Sequence, residues 1–121
     1  MKYILMMFGD QASMAEMRSA EWIHEMIQFM QTLNAELEAS GELVAAIGLV
    51  DPSQAKTVRI AGAMPVSTDG PFAESKESLA GYWIVDVADE ARALAIAEHV
   101  VAFTEGPLEV RAVADGPPPD L

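Results

Sequence analysis

Two short stretches, residues 3–8 and 82–87, read as β-strands whose alternating side chains are apolar on both faces. In the first, Tyr3, Leu5 and Met7 point one way and Ile4, Met6 and Phe8 the other. In the second, Tyr82 and Ile84 oppose Trp83, Val85 and Val87. A strand that is apolar on both sides has to be covered on both. Any fold for this chain must therefore bury two faces of one sheet.

Helical spacing follows the first strand. Ile23, Met26, Ile27, Met30, Leu33 and Leu37 recur at i, i+3, i+4 and i+7, with Glu21, His24, Glu25, Gln28 and Gln31 largely opposite. Ser13 and Glu16 fit a capping box. The region from Met14 to Leu37 is expected as one helix, or as a short turn and then a helix. Gly41 is the expected left-handed stop. Residues 43–50 predict a strand closed by Asp51 and Pro52.

Residues 56–60 alternate, with Val58 and Ile60 expected inward and Thr57 and Arg59 outward. With Ala61-Gly62-Ala63 and Met64 to Ser67 they predict an inserted β-hairpin that presents the turn at Asp69. Asp89 is the expected N-cap of a second helix to about Phe103, with Glu90 in its first turn and Gly106-Pro107 as its stop. Leu108, Val110 and Ala112 alternate with Glu109 and Arg111 in a last, half-exposed strand.

The order βα, β, hairpin, βαβ predicts an α+β class: a ferredoxin-like split βαβ unit with an inserted hairpin over residues 1–114, and an extended tail over 115–121. Helices in such a unit cover one face of the sheet. A second copy of the chain is the economical cover for the other, which predicts a homodimer with sheet facing sheet.

Composition removes several function classes. With 19 acidic and 7 basic residues the formal net charge is −12, a field that repels nucleic-acid backbones and anionic membranes. Cysteine is absent, which excludes disulfides, thiolate catalysis and cysteine zinc sites. No apolar run reaches the length of a membrane span, and the apolar residues 3–8 are too few for a signal-peptide core. A cytoplasmic protein is the expectation.

The stretch Asp69-Gly70-Pro71-Phe72 is a stiff turn by composition. Asp69 heads it, Gly70 can reach positive φ, Pro71 fixes its own φ and has no N–H to satisfy, and Phe72 is expected to seek burial. With Ala73-Glu74-Ser75-Lys76-Glu77 it resembles the signature of the DGPF branch of the YciI-like (YCII-related) family. The resemblance extends to Phe8-Gly9-Asp10, Gly41-Glu42-Leu43, residues 81–87 and Glu109-Val110-Arg111, covering about residues 2–113. It implies a ferredoxin-like unit in a dimeric α/β-barrel type assembly and a mostly unassigned role. Some members stand beside extracytoplasmic-function sigma factors, so a sigma-factor partner is implied by family context alone. Family members often carry a histidine eleven residues before the glycine matching Gly41, and some an acidic residue just before it. Those positions hold Met30 and Ser40 here, so that pair is missing.

The candidate site residues are Asp69, Phe72, Glu74, Lys76 and Tyr82, expected around a cleft near the turn. Asp69 and Glu74 are the candidate acid–base pair, against a plain role as solvated or turn-capping groups. Lys76 would meet a ligand carboxylate or simply Glu74 or Glu77. Tyr82 and Trp83 would line a pocket or fill the core. His24 is expected at the surface, His99 near a helix C-terminus, and Met30 in the core. Eight methionines fit core filling or an adaptable apolar pocket. No metal motif, phosphate loop or nucleophile elbow is present, and no metal or cofactor is expected. The chain thus reads as a dimer that binds a small molecule. The alternative is a lyase or isomerase using Asp69 or Glu74 as proton carrier, which rests on fold analogy.

Overall fold

The computed structural model describes residues 1–9, 11–72, 78–118 and 120. The elements are β1 (Lys2–Phe8), α1 (Gln11–Met17), α2 (Ala20–Ser40), β2 (Leu43–Gly48), a 3-10 turn at Pro52–Gln54, β3 (Lys56–Ala61), β4 (Met64–Asp69), β5 (Leu79–Asp86), α3 (Glu90–Thr104) and β6 (Leu108–Ala112). Four strands form one antiparallel sheet in the order β2-β5-β1-β6, and β3 and β4 pair separately. Because β5 runs antiparallel to both β1 and β2, those two are parallel with β5 between them. The antiparallel sheet with three helices is an α+β arrangement compatible with a ferredoxin-like fold.

The alternation read in β1 and β5 holds. Tyr3, Leu5, Trp83 and Val85 are buried, while Ile4, Met6, Tyr82 and Ile84 are only partly covered. The core continues into Leu33 and Leu37 of α2 and Ala93, Ile96, Ala97 and Val100 of α3. Trp22, Phe103 and Phe29 then stack in a row between the helices, with ring centroids 5.7 and 4.7 Å apart. The His99 ring lies 5.0 Å from Phe29, and His24 is exposed.

The helical region is two helices. Ser13 falls within α1 rather than at its start, and its side chain lies outside the described residues. The working cap is Ser19, whose hydroxyl accepts from the Trp22 N–H at 3.1 Å and opens α2. On α2 Ile27 is 46% exposed, and Phe29 packs against the core in its place. Gly41 ends α2 at φ 82° as expected. At the end of α3 the left-handed position belongs to Glu105 (φ 63°), not to Gly106.

The hairpin departs most from its expected orientation. Val58 and Ile60 are 66% and 68% exposed, whereas Thr57 is buried. Since β3 and β4 are not joined to the four-stranded sheet, no apolar layer receives Val58 and Ile60. Thr57 instead donates its hydroxyl to the Gly70 carbonyl at 2.7 Å.

Candidate functional site

At the turn, Gly70 takes φ 103°, a conformation open to glycine and costly for most residues. Its N–H donates to the Ala55 carbonyl at 2.8 Å, and its own carbonyl receives Thr57. These two bonds pin the turn. Phe72 does not, being 79% exposed, with the Arg59 guanidinium 5.3 Å from its ring centroid and donating to its carbonyl at 3.2 Å.

The sequence candidates are not gathered into one pocket by the described residues. Asp69 ends β4 at the base of the hairpin, highly exposed, and accepts from Lys56 Nζ across the register. Phe72 borders an open cleft of about 550 Å³ whose walls include Val50, Pro52, Lys56, Pro71 and Leu79. Tyr82 stands in register with Met6 and Ile47, and it lines a different cleft, beside β2 and β5. Glu74 and Lys76 lie outside the described residues.

A second cleft, of about 230 Å³, lies between α2 and the β2–β5 side of the sheet. Met7, Met26 and Met30 wall it together with Asn34, Ala46 and Trp83. Met30 therefore borders open space instead of being sealed in the core. Its floor passes Gly81, where a Cβ would come within 2.7 Å of the Ile47 carbonyl oxygen. The missing side chain lets β2 approach β5 and keeps that floor bare.

Polarity enters this cleft at one well-fixed point. The Trp83 indole N–H donates to Asn34 Oδ1 at 2.7 Å, which fixes which end of the amide is oxygen. The amide nitrogen of Asn34 has no partner among the described residues and is free to donate to a ligand acceptor. The described lining has no carboxylate, lysine or histidine. The arrangement can hold and orient a small molecule, but it supplies no strong acid or base.

Sequence reading missed Asn34, although a signal was there. Met30, Asn34 and Leu37 are spaced i, i+4 and i+7, so an amide interrupts the apolar stripe. It also missed the pair that ties the end of α2 to the start of α3. Glu42 accepts from Arg92 Nε and Nη2 at 2.8 and 2.9 Å, and from the Ser40 hydroxyl at 2.8 Å. The hydrogen bonds from Arg92, then that from Ser40, hold the Glu42 pKa down to about 2.

Among the described residues no group of three or more His, Cys, Asp or Glu side chains could hold a metal ion, and no helix is long and apolar enough to cross a membrane. An uncharacterized protein of Rhizobium meliloti (strain 1021) is 28% identical over 123 residues, covering 100% of this chain and 98% of that one. The model of the YCII-related domain matches residues 1–116, a span that runs from β1 through β6, and the chain belongs to the YCII-related domain family.

Proposed function

We propose that this YCII-related protein is a homodimer that binds a small, largely apolar molecule in the cleft between α2 and the β2–β5 side of the sheet. The observation that carries this is the make-up of the cleft: methionine walls, bare strand backbone, Tyr82 at its lining and one amide held by Trp83. A concave apolar site with few placed polar groups is the usual form of a small-ligand pocket. Flexible thioethers let such walls adapt to the occupant. Its ligand is one that offers Asn34 a hydrogen-bond acceptor.

The dimer rests on the sheet face without helices. Ile4 and Met6 of β1 lie beside Tyr82 and Ile84 of β5 there, with Ile47 of β2 43% exposed. Glu109 and Arg111, bonded to each other at 2.6 Å, stand on the outer strand as a polar rim. An apolar centre with a polar rim suits an interface between two copies. The stretch Asp69-Gly70-Pro71-Phe72 supports assigning the protein to the DGPF branch of its family as part of this proposal.

The cleft beside the turn supports a second reading because it is larger and holds Lys56 in its wall. A ligand carboxylate would meet Lys56 there, with Phe72 along one side and Glu74 and Lys76 following in the chain. In that reading Asp69 or Glu74 is the proton carrier of a lyase or isomerase, and Asp69 has to leave Lys56 before it acts.

Native mass spectrometry, paired with a denaturing run, tests the first reading. The expected result is a dimer carrying a small mass increment that denaturation removes. Met30→Trp fills the α2 cleft and should abolish the increment while the dimer persists. An increment untouched by Met30→Trp but lost in Lys56→Ala would move the ligand to the turn. A monomer at micromolar concentration would overturn the sheet-to-sheet dimer.

A further inference from the structure

A third cavity, of about 190 Å³, lies at the other end of α2, walled by α1, the end of β1 and the end of α3. Four methionines line it: Met7, Met14, Met17 and Met26. Arg18 is the only cation in its described wall. We propose that this cavity binds a small aromatic monocarboxylate, with the ring among the methionines and the carboxylate on Arg18.

Volume sets the size of the occupant. An enclosed apolar cavity of about 150 Å³ accepts benzene; this one, of about 190 Å³ and open on the side of the exposed Met17, has room for a single ring with a short substituent. Methionine sulfur makes favourable contacts with the edges of aromatic rings. Four thioethers around one cavity therefore favour a ring over an alkyl chain of the same volume.

Arg18 sets the charge. Its guanidinium carbon lies over the Trp22 ring, 4.4 Å from the centroid, at the cavity wall. It reaches the Thr104 carbonyl and Glu105 Oε2 only at 3.5 Å each, the outer limit of hydrogen bonding. A guanidinium has five N–H donors, and among the described residues these two long bonds leave most of them unspent. Among the described residues Glu105 is the opposing charge; it is 72% exposed and can turn to water when an anion arrives. Thr104, also in the wall, meets Arg18 through its backbone carbonyl.

This site does not depend on the α2 cleft being occupied, and the methionines distinguish the two. Met30 lines only the first cleft, Met14 and Met17 only this one, and Met7 and Met26 border both. Methionine-methyl NMR of the full chain, titrated with benzoate and separately with benzyl alcohol, tests the proposal. Benzoate should shift Met14 and Met17 saturably while leaving Met30 in place. Benzyl alcohol and the Arg18→Met variant should each weaken binding about tenfold, as loss of a charge-assisted contact requires. No saturable shift, a shift confined to Met30, or equal binding of benzoate and benzyl alcohol would overturn it. The comparison of the two probes on the unaltered protein decides the matter even if Arg18→Met fails to fold.

Discussion

The four-stranded sheet and the β3–β4 hairpin are written in the same alternating code, yet they resolve it in opposite ways. In β1 the alternation sends Tyr3 and Leu5 into a layer of helices, and they are buried. In β3 it sends Val58 and Ile60 into no layer at all, and the polar Thr57 is buried in their place. Period-two patterning identifies a strand and its two faces. Which face is inside depends on what packs there, and that is a property of the whole fold.

The comparison can be broken by substitution. The largest effect should come from Leu5→Ala. Leu5 is fully buried among the helices, so removing its side chain should cost about 3 kcal/mol in denaturant unfolding. A cost below about 1 kcal/mol would mean that the sheet–helix layer is not the stability core.

Next comes the tie between helix ends. The folded-state pKa of Glu42 is lowered to about 2, so its contribution is present above its ordinary value near 4.5 and is lost as pH falls towards 2. Discounted for the exposure of Arg92, this amounts to about 1–2 kcal/mol. Glu42→Gln should remove that acid dependence between pH 4.5 and 2, read as the change in unfolding midpoint at each pH.

Thr57→Val should cost about 1 kcal/mol, because the Gly70 carbonyl loses its hydroxyl donor. The loss should be local. Hydrogen exchange should speed up in β3 and β4 while β1 and β5 keep their protection. Uniform loss of protection in all strands would show that the hairpin and sheet unfold as one unit. The smallest effect belongs to Ile60→Ser, within about 0.5 kcal/mol, since that side chain is already in water. A cost near that of Leu5→Ala would place Ile60 against a partner chain and sharpen the view of the hairpin as an interaction arm.

Much of the fold was legible because it depends on local rules. Gly41 and Asp89 terminate and start helices where a glycine and an aspartate should. The alternation in β1 and β5 sorted correctly the side chains that share a face. The errors fall where tertiary contacts outweigh local preference. Ser19 caps α2 although Ser13 has the better box sequence, because the break between α1 and α2 lies at Arg18 and Ser19. Glu105 carries a positive φ that composition would assign to Gly106.

The candidate site was less legible still. Asp69, Phe72 and Tyr82 are close enough in sequence to suggest one cleft, but they lie at the hairpin base, on an open rim and at the lining of a different cleft beside β5. The clefts are built from residues distant in sequence, such as Asn34 with Trp83 and Arg18 with Thr104. No spacing rule brings those pairs together.

A two-stranded sheet standing apart has open edges, and open edges template the growth of longer sheets. This hairpin exposes Val58, Ile60 and Met64 beside such edges. It also carries Pro65 in β4, which has no N–H to offer an added strand, and Lys56 and Arg59 in β3. Two hairpins approaching edge to edge through β3 bring like charges together, and through β4 they meet a gap in the hydrogen-bond ladder. The arm can therefore keep its oily side chains in water without seeding fibrils, which leaves it available for contacts that are not strand addition.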